Sequence, residues 1–125
     1  MLVDDNEYDN FLNEQLIKKV RFAEKIYVNS SGVSALEFLK NMAISGVVQD
    51  GIYPEVIFID INMPIMDGLQ FIQNLRAIEG NIFGQCKLAI LTSSMYSEDR
   101  QKTKSLGGDI AFFNKPLTVE MLNSI

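Results

Sequence analysis

The chain has 125 residues, 47% hydrophobic and 22% charged, one domain's worth of ordinary globular composition with apolar material enough for a core that needs neither metal nor disulfide. Histidine is absent, which excludes His-based general-base catalysis, Ser-His-Asp triads and His-ligated zinc, and the single cysteine, Cys86, excludes an internal disulfide. Lys and Arg number 11 against 16 Asp and Glu, a net charge of −5, and the basic residues are scattered, so this domain is not expected to bind nucleic acid directly.

The first predicted element is a short strand, Met1-Leu2-Val3, clipped at its start. Tyr8, Leu12, Leu16 and Val20 then recur every four residues, the period of a helix with an apolar stripe, and Glu14 and Lys18 pair on its other side. Phe22 to Val28 reads as a second strand, and Glu24 and Lys25 within it suit a sheet edge. Ala35, Leu36, Leu39 and Ala43 mark a second helix entered near Ser31. The longest connection, Gly46 to Pro54, carries two glycines and a proline.

Val56-Ile57-Phe58-Ile59 is a strand without polar alternation, as expected of one buried on both faces. Leu69, Ile72 and Leu75 give a third helix ending near Gly80, and Leu88-Ala89-Ile90-Leu91 a fourth strand. A fourth helix over 97–106 has Ser97 as its capping hydroxyl, acids at its positive end and only Leu106 as an apolar anchor. Its basic group, Arg100, Lys102 and Lys104, reads as a solvated face. Ile110-Ala111-Phe112-Phe113 is the fifth strand; Thr118 caps a fifth helix with Val119 and Leu122 facing in. That helix stops after two turns, so the domain, residues 1–125, is expected to be trimmed at both ends.

Strands alternating with helices of this length predict an α/β fold, a doubly wound parallel sheet covered on both faces. In such sheets ligands sit beyond the carboxyl ends of the strands. Asp4 and Asp5 follow strand one, Asp60 follows strand three, Thr92 and Ser93 follow strand four, and Lys115 and Pro116 follow strand five. Carboxylates gathered at one rim repel one another, and a hard divalent cation relieves that repulsion through oxygen ligands. Mg²⁺ suits the few protein carboxylates, with Asp5 and Asp60 as direct ligands and Asp4 acting through water. Metal, lysine and hydroxyl together describe phosphoryl transfer: Asp60 attacks, while Mg²⁺, the Lys115 ammonium and the Thr92 hydroxyl meet the charge on the equatorial oxygens.

Val3-Asp4-Asp5, Asp60-Ile61-Asn62-Met63-Pro64-Ile65-Met66-Asp67-Gly68, Leu91-Thr92-Ser93 and Lys115-Pro116 resemble the receiver domain of bacterial two-component response regulators. The resemblance covers the whole chain, and its motifs are specific in combination. It implies a flavodoxin-like five-stranded sheet of order 2-1-3-4-5. It also implies Asp60 as phosphoacceptor, Asp4 and Asp5 as the acidic pair, and the Asn62 backbone carbonyl as a further Mg²⁺ ligand. Thr92 would be the switch hydroxyl, Lys115 the site lysine before a cis proline, and Phe112 the rotameric aromatic. Asn62 and Ser94, two residues past Asp60 and Thr92, occupy places that tune phosphoryl lifetime in the family.

The implied function is a signalling phosphoacceptor rather than an ordinary enzyme. It takes a phosphoryl group from a histidine kinase or histidine phosphotransfer protein, catalyses its own phosphoryl transfer and dephosphorylation, and signals through its helix 4, strand 5 and helix 5 surface. The output would be a downstream protein partner or an effector domain beyond this chain. A cytoplasmic location is expected: no apolar run approaches the roughly 20 residues that span a bilayer, and Met1-Leu2-Val3-Asp4-Asp5 lacks the basic start of a signal peptide.

Three rivals are weaker. A haloacid-dehalogenase-type phosphatase needs a second Asp where Asn62 stands. A flavodoxin-type cofactor binder needs a glycine- and hydroxyl-rich loop where Asp4-Asp5-Asn6-Glu7 would repel phosphate. A receiver-like interaction module that is never phosphorylated would not need the intact Asp4, Asp5, Asp60, Thr92 and Lys115.

Overall fold

Strands and helices alternate along all 125 residues of the computed structural model: β1 (Leu2–Val3), α1 (Glu7–Lys19), β2 (Val28–Asn29), α2 (Gly32–Ile44), β3 (Val56–Ile59), α3 (Gly68–Arg76), β4 (Lys87–Thr92), α4 (Ser97–Ser105), β5 (Ile110–Asn114) and α5 (Val119–Ser124). A 3-10 turn at Glu79–Asn81 separates α3 from β4. The strands form one parallel sheet in the order β2-β1-β3-β4-β5, as the resemblance implies. No helix is long and apolar enough to cross a membrane.

The unbroken apolar runs arise because alternate side chains enter two different cores. Val3, Ile57, Ile59, Leu88 and Ile90 join the larger one, against Leu36 and Leu39 of α2 and Phe71, Ile72 and Leu75 of α3. Leu2, Phe58, Ala89 and Leu91 turn the other way, onto Ile17 of α1, Leu122 of α5 and Leu117 just before that helix. The middle strands therefore have no wet face, whereas β2, at the edge, is short and part-exposed.

Several elements depart from the expected pattern. The α1 stripe is rotated: Tyr8 and Leu12 are 68% and 43% exposed, and the buried positions are Asn10, Asn13 and Ile17. One polar group on that face is paired: the Asn10 side-chain amide donates to the Asp4 carbonyl at 2.8 Å, while its Oδ1 is buried without a partner. The predicted Glu14–Lys18 pair does form, at 3.0 Å. Strand two is only Val28–Asn29 rather than 22–28, since the preceding residues pair little; Tyr27 still accepts from the Leu2 amide at 2.8 Å.

Helix α3 ends at Arg76, before Gly80, which takes a left-handed φ of +77° in the 3-10 turn, as Asn81 after it does at +47°. Ser97 does not cap α4: it is the first helical residue, and Tyr96 precedes it without a side-chain cap. Thr103 is the buried residue of α4, its hydroxyl donating within the helix to the Asp99 carbonyl at 2.8 Å; Leu106, half-buried, packs against the larger core. In α5 the Thr118 hydroxyl accepts from Met121 as expected and Leu122 is buried, but Val119 stays 38% exposed.

Candidate functional site

The parallel register brings the strand ends together. Leu2 pairs with Phe58 and Val3 with Ile59, so Asp4 and Asp60 leave neighbouring strands side by side. Thr92 pairs with Asn114, and the Lys115 amide donates back to the Thr92 carbonyl at 2.8 Å. Lys115–Pro116 is a cis bond, as the resemblance implies.

Each side chain is then held locally. Asp4 is buried; its Oδ1 accepts from the Asn6 amide at 2.9 Å, and Asn6 in turn caps α1 by accepting from Asp9 N–H at 3.0 Å. Asp60 is 7% exposed, and its own amide donates to the Val3 carbonyl at 3.0 Å. The chain after Asp60 folds back through Gly68, whose amide donates to the Ile61 carbonyl at 2.9 Å. Asp67 and Gln70 close a capping box at the start of α3. Gly68 is required there, because a Cβ on it would lie 2.3 Å from the Asp60 carbonyl oxygen.

The Lys115 ammonium joins the cluster, 2.7 Å from Asp4 Oδ2, 2.8 Å from Asp9 Oδ2 and 3.5 Å from Asp60 Oδ2. Burial works to lower its pKa, but the hydrogen bonds to Asp4 and Asp9 and the charges of Asp60 and Asp4 outweigh burial and hold it above the ordinary lysine value. For Asp60, burial is the largest influence and raises the pKa; Lys115 pulls it back, Asp4 pushes it up further, and the balance leaves it above the usual carboxylate range. The Thr92 hydroxyl beside it favours the ionised form, yet closes no well-formed hydrogen bond on Asp60 Oδ1, which is buried and unpartnered. Thr92 itself is fully buried, and its hydroxyl accepts from the Ser94 amide at 3.1 Å.

Asp4, Asp5 and Asp60 each offer an oxygen within 4.8 Å of the others. An all-oxygen donor set with one buried, unsatisfied carboxylate oxygen fits a hard divalent cation such as Mg²⁺. Asn62 is exposed on the loop leaving Asp60, and its carbonyl accepts no backbone hydrogen bond. Phe112 lies away from the carboxylates, half-buried on β5 with the Arg100 guanidinium 4.7 Å over its ring. Sequence reasoning missed Asp9 and Asn10. No spacing signals Asp9, whose partner is 106 residues away; Asn10 carried only the weak sign of a polar residue three positions from another, Asn13.

The family profile of the response regulator receiver domain matches residues 1–125. Among curated proteins, the chain is 28% identical over 119 residues to "Hybrid signal transduction histidine kinase I" of Dictyostelium discoideum and 29% identical over 125 residues to "Hybrid signal transduction histidine kinase K" of the same organism. The alignments cover 94% and 93% of this chain but only 6% and 9% of those proteins. Among solved structures, a two-component response regulator from Cytophaga hutchinsonii superposes with a TM-score of 0.83 at 29% identity, covering 98% of this chain and 89% of that one. The receiver domain of the histidine kinase CKI1 from Arabidopsis thaliana, complexed with Mg²⁺ and BeF₃⁻, shares the fold with a TM-score of 0.81 at 23% identity over 99% of this chain and 88% of that one. With the parallel order 2-1-3-4-5 and an acidic rim completed by a lysine, the chain belongs to the response regulator receiver domain family.

Proposed function

We propose that the chain accepts a phosphoryl group on Asp60 from a phosphohistidine of a histidine kinase or histidine phosphotransfer protein. One observation carries this reading: the rim that holds the buried Asp60 also holds Asp4 and Asp5, with carboxylate oxygens all within 4.8 Å of one another, and the Lys115 ammonium 3.5 Å from Asp60. An Asp60 oxygen attacks phosphorus, the P–N bond of the donor breaks, and the donor imidazole departs with the bond electrons. Lys115 meets negative charge on one phosphoryl oxygen, and the Thr92 hydroxyl, released from the Ser94 amide, meets another. Asp4, Asp5, Asp60 and the Asn62 carbonyl would hold Mg²⁺, which supplies charge neutralisation when bound. The same residues serve the reverse need, orienting water for dephosphorylation.

The signal is a population shift. Thr92 moves toward the phosphoryl group, Phe112 leaves the Arg100 guanidinium for the vacated space, and the α4–β5–α5 surface changes for a downstream protein or an effector domain. The buried, free Cys86 thiol suits a reducing cytoplasm. The test is intact-protein mass after acetyl phosphate, with and without Mg²⁺. A single phosphoryl gain that needs Mg²⁺ and disappears in Asp60→Asn is expected; a gain that persists in that variant refutes the assignment.

A further inference from the structure

An ammonium has three protons, and the two short bonds of Lys115 go to residues other than the nucleophile: Asp4 at 2.7 Å and Asp9 at 2.8 Å, against 3.5 Å to Asp60. The two short partners are unequal. Asp4 is buried at the end of β1, with its other oxygen committed to the Asn6 amide. Asp9 sits on the first turn of α1 with its side chain 29% exposed, so water can replace the lysine at little cost. Its backbone is fixed by the Asn6 cap, which aims the carboxylate across the site from a rigid helix start.

We propose that Asp9 is a positioning residue that competes with Asp60 for the Lys115 ammonium, holding that charge off the nucleophile at rest and yielding it when a phosphoryl group presents its oxygens. The inference rests on the phosphoacceptor reading above. A contact made in the free state and released in the phosphoryl state weakens the latter by its own free energy. Asp9 therefore sets how readily this chain enters its phosphoryl-bearing state. The exposed Glu7, on the same helical turn but touching no lysine, provides the comparison for charge alone.

The experiment measures fluoroberyllate affinity at a fixed, saturating Mg²⁺ concentration by ¹⁹F or amide NMR, with melting temperatures beside it. Asp9→Asn keeps an acceptor oxygen but loses the charge, and should bind fluoroberyllate about fivefold more tightly, the scale of one part-exposed ion pair. Asp9→Glu restores the charge and should return affinity to within about twofold of wild type, and Glu7→Gln should stay within the same margin. Unchanged affinity in Asp9→Asn, equal tightening in Glu7→Gln, or a glutamate variant that behaves like the asparagine one overturns the proposal while leaving the phosphoacceptor reading intact. A wild-type protein that binds no fluoroberyllate overturns the phosphoacceptor reading, and the role of Asp9 with it.

Discussion

Replacing Gly68 by Ala tests how tightly α3 is bound to the phosphoacceptor strand. A Cβ there would lie 2.3 Å from the Asp60 carbonyl oxygen and 3.0 Å from both the Asp60 carbonyl carbon and Ile61 Cα. Heavy-atom contacts settle near roughly 3.5 Å, so relief needs a shift of about 1 Å, and every atom in the way is backbone. Overpacking of this kind costs up to about 3 kcal/mol. Alanine returns up to about 1 kcal/mol by restricting the unfolded chain, since Gly68 has no left-handed φ. The net loss is about 2 kcal/mol, which lowers Tm by about 8 °C in a domain of this size. Because the clash is with the Asp60 peptide itself, the carboxylate moves too, and a misplacement of about 1 Å costs on the order of 100-fold in rate. Calorimetry and the initial rate of phosphorylation by acetyl phosphate read the two effects. A Tm unchanged within about 1 °C refutes the packing argument; a lowered Tm with an unchanged rate refutes the link between α3 and Asp60.

Asp60→Asn should raise Tm at neutral pH. The folded Asp60 pKa is raised, chiefly by burial, so ionising it costs stability as pH climbs from the ordinary carboxylate value through the raised one; the gain in the variant must fade in acid, and a gain that is flat with pH contradicts the assignment. Mg²⁺ should stabilise the wild-type protein more than Asp60→Asn, read by thermal melts with and without the ion. Lys115→Met leaves Asp4, Asp9 and Asp60 without their cation, so it should lower Tm at neutral pH and regain much of the loss on adding Mg²⁺; a loss insensitive to the ion speaks against repulsion as its cause. Arg76→Gln removes bonds of 2.7 and 2.8 Å to the Leu106 and Gly107 carbonyls. It should speed amide exchange in α4 about tenfold while leaving β4 unchanged, since the two solvent-exposed bonds together are worth roughly 1.5 kcal/mol.

The strand ends were legible because a strand buried on both faces is apolar until it reaches the rim, where the first charged residue marks the edge of the sheet. Asp60 after Ile59 follows that rule; Lys115 instead follows Asn114 at the end of β5, a half-buried edge strand whose apolar run still points to the rim. The rotation of α1 was not legible. Periodicity favoured Tyr8 and Leu12, whereas the helix turns Asn10, Asn13 and Ile17 inward, and the one specific bond on that face, Asn10 amide to Asp4 carbonyl, depends on a strand end that periodicity does not report. The Ser97 cap failed because a hydroxyl and two acids suit both the cap and the first turn. Asp9 was invisible for a deeper reason: its meaning lies in one distance to a lysine that only the assembled sheet creates.

The neighbouring placement of Asp4 and Asp60 follows from strand pairing, Val3 beside Ile59, and not from the shape of any loop. Adding or deleting one residue inside β3 would invert which of Ile57, Phe58 and Ile59 points up or down and carry the carboxylate to the wrong storey. The turns at residues 46–53 face no such arithmetic. Tolerance to length change is thus partitioned along this chain: generous on the side where the strands begin, and nil in the few residues that count out the distance to the acid.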